Sequence, residues 1–290
     1  MKNKIGVISD SFRKDLREGL RLAAQVGADG VQMYAVSGEM HPETLVGDKR
    51  RELKKFIADL GLEISAICGD LGGHGFQVRE DNPGKIETSK RILELALEMG
   101  CNIVTTHIGV VPEDPKSELY EILYSACEEL GEYAQKAGAY FALETGAETA
   151  AVLGSFLDAL PHKGVAVNFD PANMVMVTGD DPVAGFLLLK DYIVHTHVKD
   201  GVRVRPVDPR LVYGSPGFDS MSHENIRQMV DEGHYFKEVP LGQGDVDFDA
   251  YFKAVVDSGY SGYLTVEREG GVNPFDDIRL AVEFIKGYRD

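Results

Sequence analysis

One unit recurs along the chain: an amphipathic stretch, a glycine, and within a few residues a short apolar run. It occurs in AAQVGADGVQMY, IADLGLEISAIC, ALEMGCNIVTTH, AQKAGAYFALE and VVDSGYSGYLTVE. A glycine just past a helix enters the left-handed region at low steric cost and so stops the helix. The apolar run behind it does not alternate with polar residues, which marks a strand buried on both faces, as in a parallel sheet. Eight such runs lie at 5–9, 30–34, 63–68, 102–107, 140–144, 165–169, 193–198 and 262–267. Helical patterns separate most of them, at 14–26, 42–60, 85–99, 117–137, 149–160, 182–192, 248–258 and 274–288.

Eight βα units are the count of a (β/α)8 TIM barrel, which typically takes about 250 residues; the chain has 290. The competing α/β architecture, a doubly wound open sheet, carries a glycine-rich phosphate turn after its first strand. Here that position reads SDSF. The predicted fold is a single TIM-barrel domain over 1–290, with an insertion at 201–245 between strands seven and eight. A weak helix is expected inside it at 223–232. An insertion there falls on the C-terminal face of the barrel, where active sites are built.

Charge narrows the function. Lys and Arg total 30 against 47 Asp and Glu, a net charge of −17. Such a chain repels polyanions at long range, so neither nucleic acid nor an anionic membrane surface is the expected partner. No apolar run nears the ~18 residues of a membrane-spanning helix. The start, MKNKIGVISDSF, lacks the apolar stretch of a signal peptide. The three cysteines, Cys68, Cys101 and Cys127, form no CxxC pair, so free core thiols in a reducing cytoplasm are expected.

The chemistry lies where the strands end. Strand four ends TTHIG at His107, strand five ALETG at Glu144 and strand six NFDPANM at Asp170. Strand seven runs HTHVKDG through His195, His197 and Lys199, and strand eight ends LTVEREG at Glu267. Ionisable groups at the ends of buried strands are costly unless paired or bound to metal, and in a barrel these ends converge on one mouth. Taken singly, each has a structural reading: Asp170 before Pro could cap a helix, His197 could be a core histidine, Glu144 a buried ion-pair partner and Glu267 a loop charge. Together, two Glu, one Asp and one His make a mixed O/N ligand set. It suits Mn²⁺, Mg²⁺ or Co²⁺ better than a thiolate site would, with Zn²⁺ also open. His107 is expected to face the mouth as a substrate ligand. His195, two residues before His197, shares its face one layer deeper, and Lys199 sits one step nearer the mouth. His74, in the glycine-rich loop GDLGGHGF, is a further contact candidate.

ALETG, NFDPANM, HTHVKDGVR, PLGQGDVDF and LTVERE together resemble the xylose-isomerase-like TIM-barrel superfamily, and within it the sugar phosphate isomerase/epimerase family. The resemblance covers nearly the whole chain and is strongest from Glu144 onward. It implies a divalent metal, Mn²⁺ first, held by Glu144, Asp170, His197 and Glu267, with Glu144 and Glu267 doubling as the acid/base pair. It places Arg203, six residues after His197, against the substrate. Ketose 3-epimerases of this kind carry His three residues after the ligand Asp, where this chain has Asn173. They commonly carry Glu near the end of strand two, where it has Gln32.

The function so implied is isomerisation or epimerisation of a small keto sugar or polyol through an enediolate. A dehydratase of the inosose type and a sugar-binding subunit without turnover are the alternatives. A nuclease resembling endonuclease IV is disfavoured by the −17 charge and the few histidines at strand ends. Related barrels suggest a homo-oligomer, dimer or tetramer.

Overall fold

A computed structural model describes residues 1–218, 232 and 234–289. Eight parallel strands close into a barrel. In chain order they are β1 (Ile5–Ile8), β2 (Gly30–Tyr34), β3 (Glu63–Cys68), β4 (Ile103–Thr106), β5 (Tyr140–Glu144), β6 (Val165–Phe169), β7 (Ile193–Val198) and β10 (Leu264–Val266). Between the last two lie β8 (Asp200–Arg203) and β9 (Phe236–Val239). Around the barrel the order is β1-β10-β7-β6-β5-β4-β3-β2, so each predicted strand neighbours the next and β10 closes on β1. Residues such as Val7, Val31, Ile67, Val104, Phe141 and Val167 are fully shielded from solvent, which is why the strands read as unbroken apolar runs.

The helices stop and start for legible reasons. Gly100 and Gly138, at φ 92° and 73°, end the helices Asn82–Met99 and Glu118–Ala137. Four others start on an Asx-Pro pair, in which the side chain caps the first free N–H groups and the proline needs none. Asp181 accepts from Val183 N and Ala184 N in this way, and Asp170, Asp208 and Asn273 do the same before Pro171, Pro209 and Pro274.

The insertion contains an element the sequence does not announce. β8 and β9 pair antiparallel as a separate ribbon, Asp200 opposite Val239 and Arg203 opposite Phe236. Asp200 anchors it. Its buried carboxylate accepts from Gly201 N, Gly242 N, Gly244 N and Val246 N, folding the returning chain onto the end of β7. Apart from Glu232, the helix expected at 223–232 lies outside the described residues. Among the described residues no helix is long and apolar enough to cross a membrane. Cys68, Cys101 and Cys127 are free, buried thiols, and burial pushes the Cys101 thiol up to about 11.

Candidate metal centre at the barrel mouth

Glu144, Asp170, His197 and Glu267 converge: one ligand atom from each lies within 4.8 Å of all the others. They come from β5, β6, β7 and β10, four strands that are neighbours around the barrel. From His197 Nδ1 it is 3.4 Å to Glu144 Oε1, 3.7 Å to Asp170 Oδ2 and 3.1 Å to Glu267 Oε2. The two glutamates thus flank an arc whose centre is Asp170 and His197. All four residues are buried.

The donor set fits a divalent cation. Asp170 divides its two oxygens: Oδ1 accepts from Ala172 N and Asn173 N as a helix cap. Oδ2, fully buried, has no hydrogen-bond partner. An unpartnered buried carboxylate oxygen is costly and points to a missing counter-charge. His197 presents the right atom. Gln32 Oε1 accepts from its Nε2 at 3.0 Å, while Gln32 Nε2 donates to Thr105 Oγ1. That leaves Nδ1 toward the carboxylates, the arrangement by which outer partners orient a ligating imidazole. Without a metal, burial disfavours charge on His197, but Glu267 and Glu144 outweigh it and hold the imidazole well above its usual range. Three buried carboxylates favour a cation among them.

Amides and a deeper histidine frame the set. Asn168 Nδ2 donates to Glu144 Oε2 at 3.1 Å, and Asn173 Nδ2 donates to Glu144 Oε1 at 2.9 Å. His195, one layer below, bonds Asn168 Oδ1 at 2.8 Å and Thr265 Oγ1 at 2.9 Å through its two ring nitrogens. It is a satisfied core residue, and burial pushes it well below the usual imidazole range. The strand registers shift at Val31/Gln32 and at Val167/Asn168. Both irregularities stand immediately before an amide of the inner layer, where a bulge re-aims a side chain.

The other candidates divide. Lys199 joins the centre. Its Nζ donates to Glu267 Oε2 at 3.0 Å and Glu269 Oε2 at 2.7 Å, and lies 3.9 Å from Asp170 Oδ2. Burial opposes its charge, but Glu267 and Glu269 prevail and raise it well above the ordinary lysine value. Burial likewise disfavours charge on Glu267, yet Lys199 and His197 hold its carboxyl below the usual range. His107 lies on the rim, Nδ1 3.1 Å from Asp70 Oδ2 and Nε2 3.7 Å from Glu144 Oε1. Burial would lower it; Glu144 and Asp70 outweigh that and push it up to about 9. His74 is not among the four that converge; its Nδ1 is 3.4 Å from where a Cβ on Gly214 would lie. Arg203 lies on β8 with its guanidinium against Gly179, outside the ligand cluster.

Four residues escaped the sequence reading: Asn168, Asp70, Tyr213 and Glu148. Asn168 had a signal, since it stands two before Asp170 on the same strand face. Tyr213 had none; its ring packs on His107 with centroids 5.1 Å apart. Glu148 is buried, accepts from Val111 N at 3.0 Å, and burial pushes it up to about 7. The ordinary value is 4.5, so the folded state holds its proton more tightly than the unfolded state does. Stability from this group is therefore full below about pH 4.5 and drains away as the pH rises to about 7. Glu148→Gln keeps the acceptor for Val111 and removes the charge. In urea titrations the unsubstituted protein should lose up to about 3 kcal/mol relative to this variant between pH 5 and pH 8. Equal pH slopes would refute the assignment.

Comparison with known proteins agrees with this fold. Residues 20–288 match the family model described as xylose isomerase-like TIM barrel. An inosose dehydratase of Lacticaseibacillus casei is 29% identical over 173 residues, 57% of this chain and 53% of that one. One from Bacillus thuringiensis (strain Al Hakam) is 30% identical over 167 residues, 54% of this chain and 50% of its own. The matches thus span about half the length of these curated relatives. Among solved structures, a xylose isomerase domain protein from Planctomyces limnophilus superposes with TM-score 0.77 at 26% identity, covering 99% of this chain and 97% of that one. The probable 3-DHS dehydratase AsbF of Bacillus anthracis shares the fold at TM-score 0.74 and 20% identity, over 99% of this chain and 100% of its own. With a family match over nearly its full length and a closed eight-stranded barrel carrying a buried Glu/Asp/His/Glu cluster, the chain belongs to the xylose isomerase-like TIM-barrel family.

Proposed function

We propose that this protein is a divalent-metal-dependent dehydratase of a small keto sugar or polyol of the keto-inositol class. The observation that carries it is the placement of Glu144 and Glu267, one on each flank of a buried ligand set centred on Asp170 and His197. The names of the sequence relatives, inosose dehydratases, favour elimination over the isomerase or epimerase outcome that the sequence alone puts first. Asn173, an amide bonded to Glu144, supports the same choice, because it cannot carry a proton as an imidazole can.

A divalent ion held by Glu144, Asp170, His197 and Glu267, Mn²⁺ foremost, would polarise the substrate carbonyl and offset the charge that builds on its oxygen. The chain supplies the proton transfers. Glu267 takes the proton from the carbon beside the carbonyl, with Lys199 beside it to steady the charge. Its C–H electron pair becomes the new C=C bond as the C–O bond on the next carbon breaks. His107, whose buried Nε2 has no hydrogen-bond partner, protonates the departing hydroxyl, so one water leaves. Asn168 and Asn173 hold Glu144 in place by both oxygens.

The test is mass spectrometry in D₂O with the Mn²⁺-loaded protein and a panel of keto-inositols, ketoses and short hydroxy-ketones. Loss of water from a keto-inositol, with one solvent deuterium entering carbon as the enol product ketonises, both abolished by chelator, is the expected result. Deuterium entering a ketose without loss of water would replace dehydration by epimerisation or isomerisation. Tight Mn²⁺ binding with no exchange anywhere in the panel would overturn the catalytic reading in favour of a sugar-binding subunit.

A further inference from the structure

The ligand residues are at most 8% exposed, yet a sugar must reach them. What stands over them comes from the insertion. Tyr213 ends the short helix Pro209–Tyr213. Its ring lies on His107, and its hydroxyl is 2.9 Å from where a Cβ on Gly146, two residues past Glu144, would sit. The segment thus bridges from the β4 end to the β5 end.

Its packing is partial: Val212 and Tyr213 are half-buried against the core. No residue of the helix Pro209–Tyr213 is fully buried, while Ser215 just beyond it is; a segment whose buried anchor lies at one end opens more readily than the core. Its fastening is Gln77, itself 2% exposed. Gln77 Nε2 donates to Gly214 O at 2.9 Å, and Gln77 Oε1 accepts from Ser215 Oγ at 2.9 Å. The same Nε2 donates to His74 O at 2.9 Å. The loop that carries Gln77 is pinned to the barrel by Phe76 N on Ile108 O and by Asn82 Nδ2 on Phe76 O. A loop pinned by these bonds therefore grips a half-packed cover through the Gln77 amide.

We propose that residues 209–215 are a lid over the metal centre and that Gln77 is the positioning residue that keeps it shut. Gln77 touches neither ligand nor substrate; it acts through Tyr213. The inference rests on the functional reading only for what passes beneath the lid. Gating makes a specific demand. Weakening the clamp should speed entry and exit together and leave affinity unchanged, whereas a residue that merely supports the site would change affinity.

The chain contains no Trp, so Tyr213→Trp places a single indole on the lid. In that background, acrylamide quenching of the indole and the association and dissociation rates of Mn²⁺ are measured with and without Gln77→Ala. We expect quenching to rise several-fold, and both Mn²⁺ rates to rise together with the dissociation constant within about twofold. The rate increase should be about fivefold for each hydrogen bond lost. Ser215→Ala, which removes one bond from the lid side, should give the smaller effect and serves if Gln77→Ala does not fold. Unchanged quenching, or a changed affinity at an unchanged association rate, would overturn the lid. If the unsubstituted protein binds no Mn²⁺ by electron paramagnetic resonance, the metal reading falls and the quenching comparison alone decides the clamp.

Discussion

Glu267→Gln is expected to lower turnover by about 10²–10⁴-fold, the range lost with a positioned acid or base. The amide fills the same space in a buried position, so the barrel should stay folded. Three things are lost at once: the proton acceptor, an anionic metal ligand 3.1 Å from His197 Nδ1, and the nearer buried partner of Lys199. The lysine then keeps Glu269, 66% exposed, at 2.7 Å and Asp170 at 3.9 Å. Metal affinity should fall along with turnover, which calorimetry with Mn²⁺ can separate from the chemical step. Glu144→Gln should be equally inactive, since Asn168 and Asn173 are placed to hold a carboxylate there and both donate. Full deuterium exchange in Glu267→Gln would sink its assignment as the base, and in Glu144→Gln it would sink the role of that carboxylate at the centre.

Arg268→Ala should cost about 3–5 kcal/mol of stability, the penalty for leaving one member of a buried ion pair without its partner. Arg268 and Glu238 are 7% and 5% exposed at the side chain and meet at 2.6 Å, while Arg268 Nε reaches Asp277 at 2.9 Å. Glu238 also accepts from Glu269 N and Gly270 N. One arginine therefore ties the insertion ribbon, the strand end bearing Glu267 and the helix Pro274–Lys286 together. At about 2–4 °C per kcal/mol for a chain of this size, the melting temperature should fall by about 6–20 °C. Adding Glu238→Ala to Arg268→Ala should recover part of the loss, because the stranded buried charge is gone. A single-variant cost under about 1 kcal/mol would show that the pair is not what holds these elements.

Much of the site was legible because its chemistry is written along single strands. Glu144, Asp170, His197 and Glu267 each close an apolar run, and a buried run that ends in an ionisable group advertises a site whatever the register. Asp170 shows that two readings of one residue can both hold, one oxygen capping a helix and the other facing the ligand cluster. Contacts between distant strands were not legible. Gln32 and His197 are 165 positions apart and meet inside the barrel, in a layer whose composition depends on strand stagger and on two register shifts. The insertion was visible as an irregular stretch, but neither its ribbon nor the reach of Tyr213 to His107 follows from residue pattern.

The sequence by itself determined the barrel and the four ionisable residues that converge at its strand ends. Helix stops, unalternating strands and charged strand ends are local signals, and eight repeats of one unit leave few ways to close a sheet. Only the tertiary structure decided which amide bonds His197, that Lys199 pairs with Glu267 and Glu269, and that Gln77 bonds Gly214 and Ser215. Those contacts join residues remote in sequence at distances set by barrel geometry, and hydrogen bonds are short-ranged and directional. A shift of about one residue in register would make different ones from the same strands.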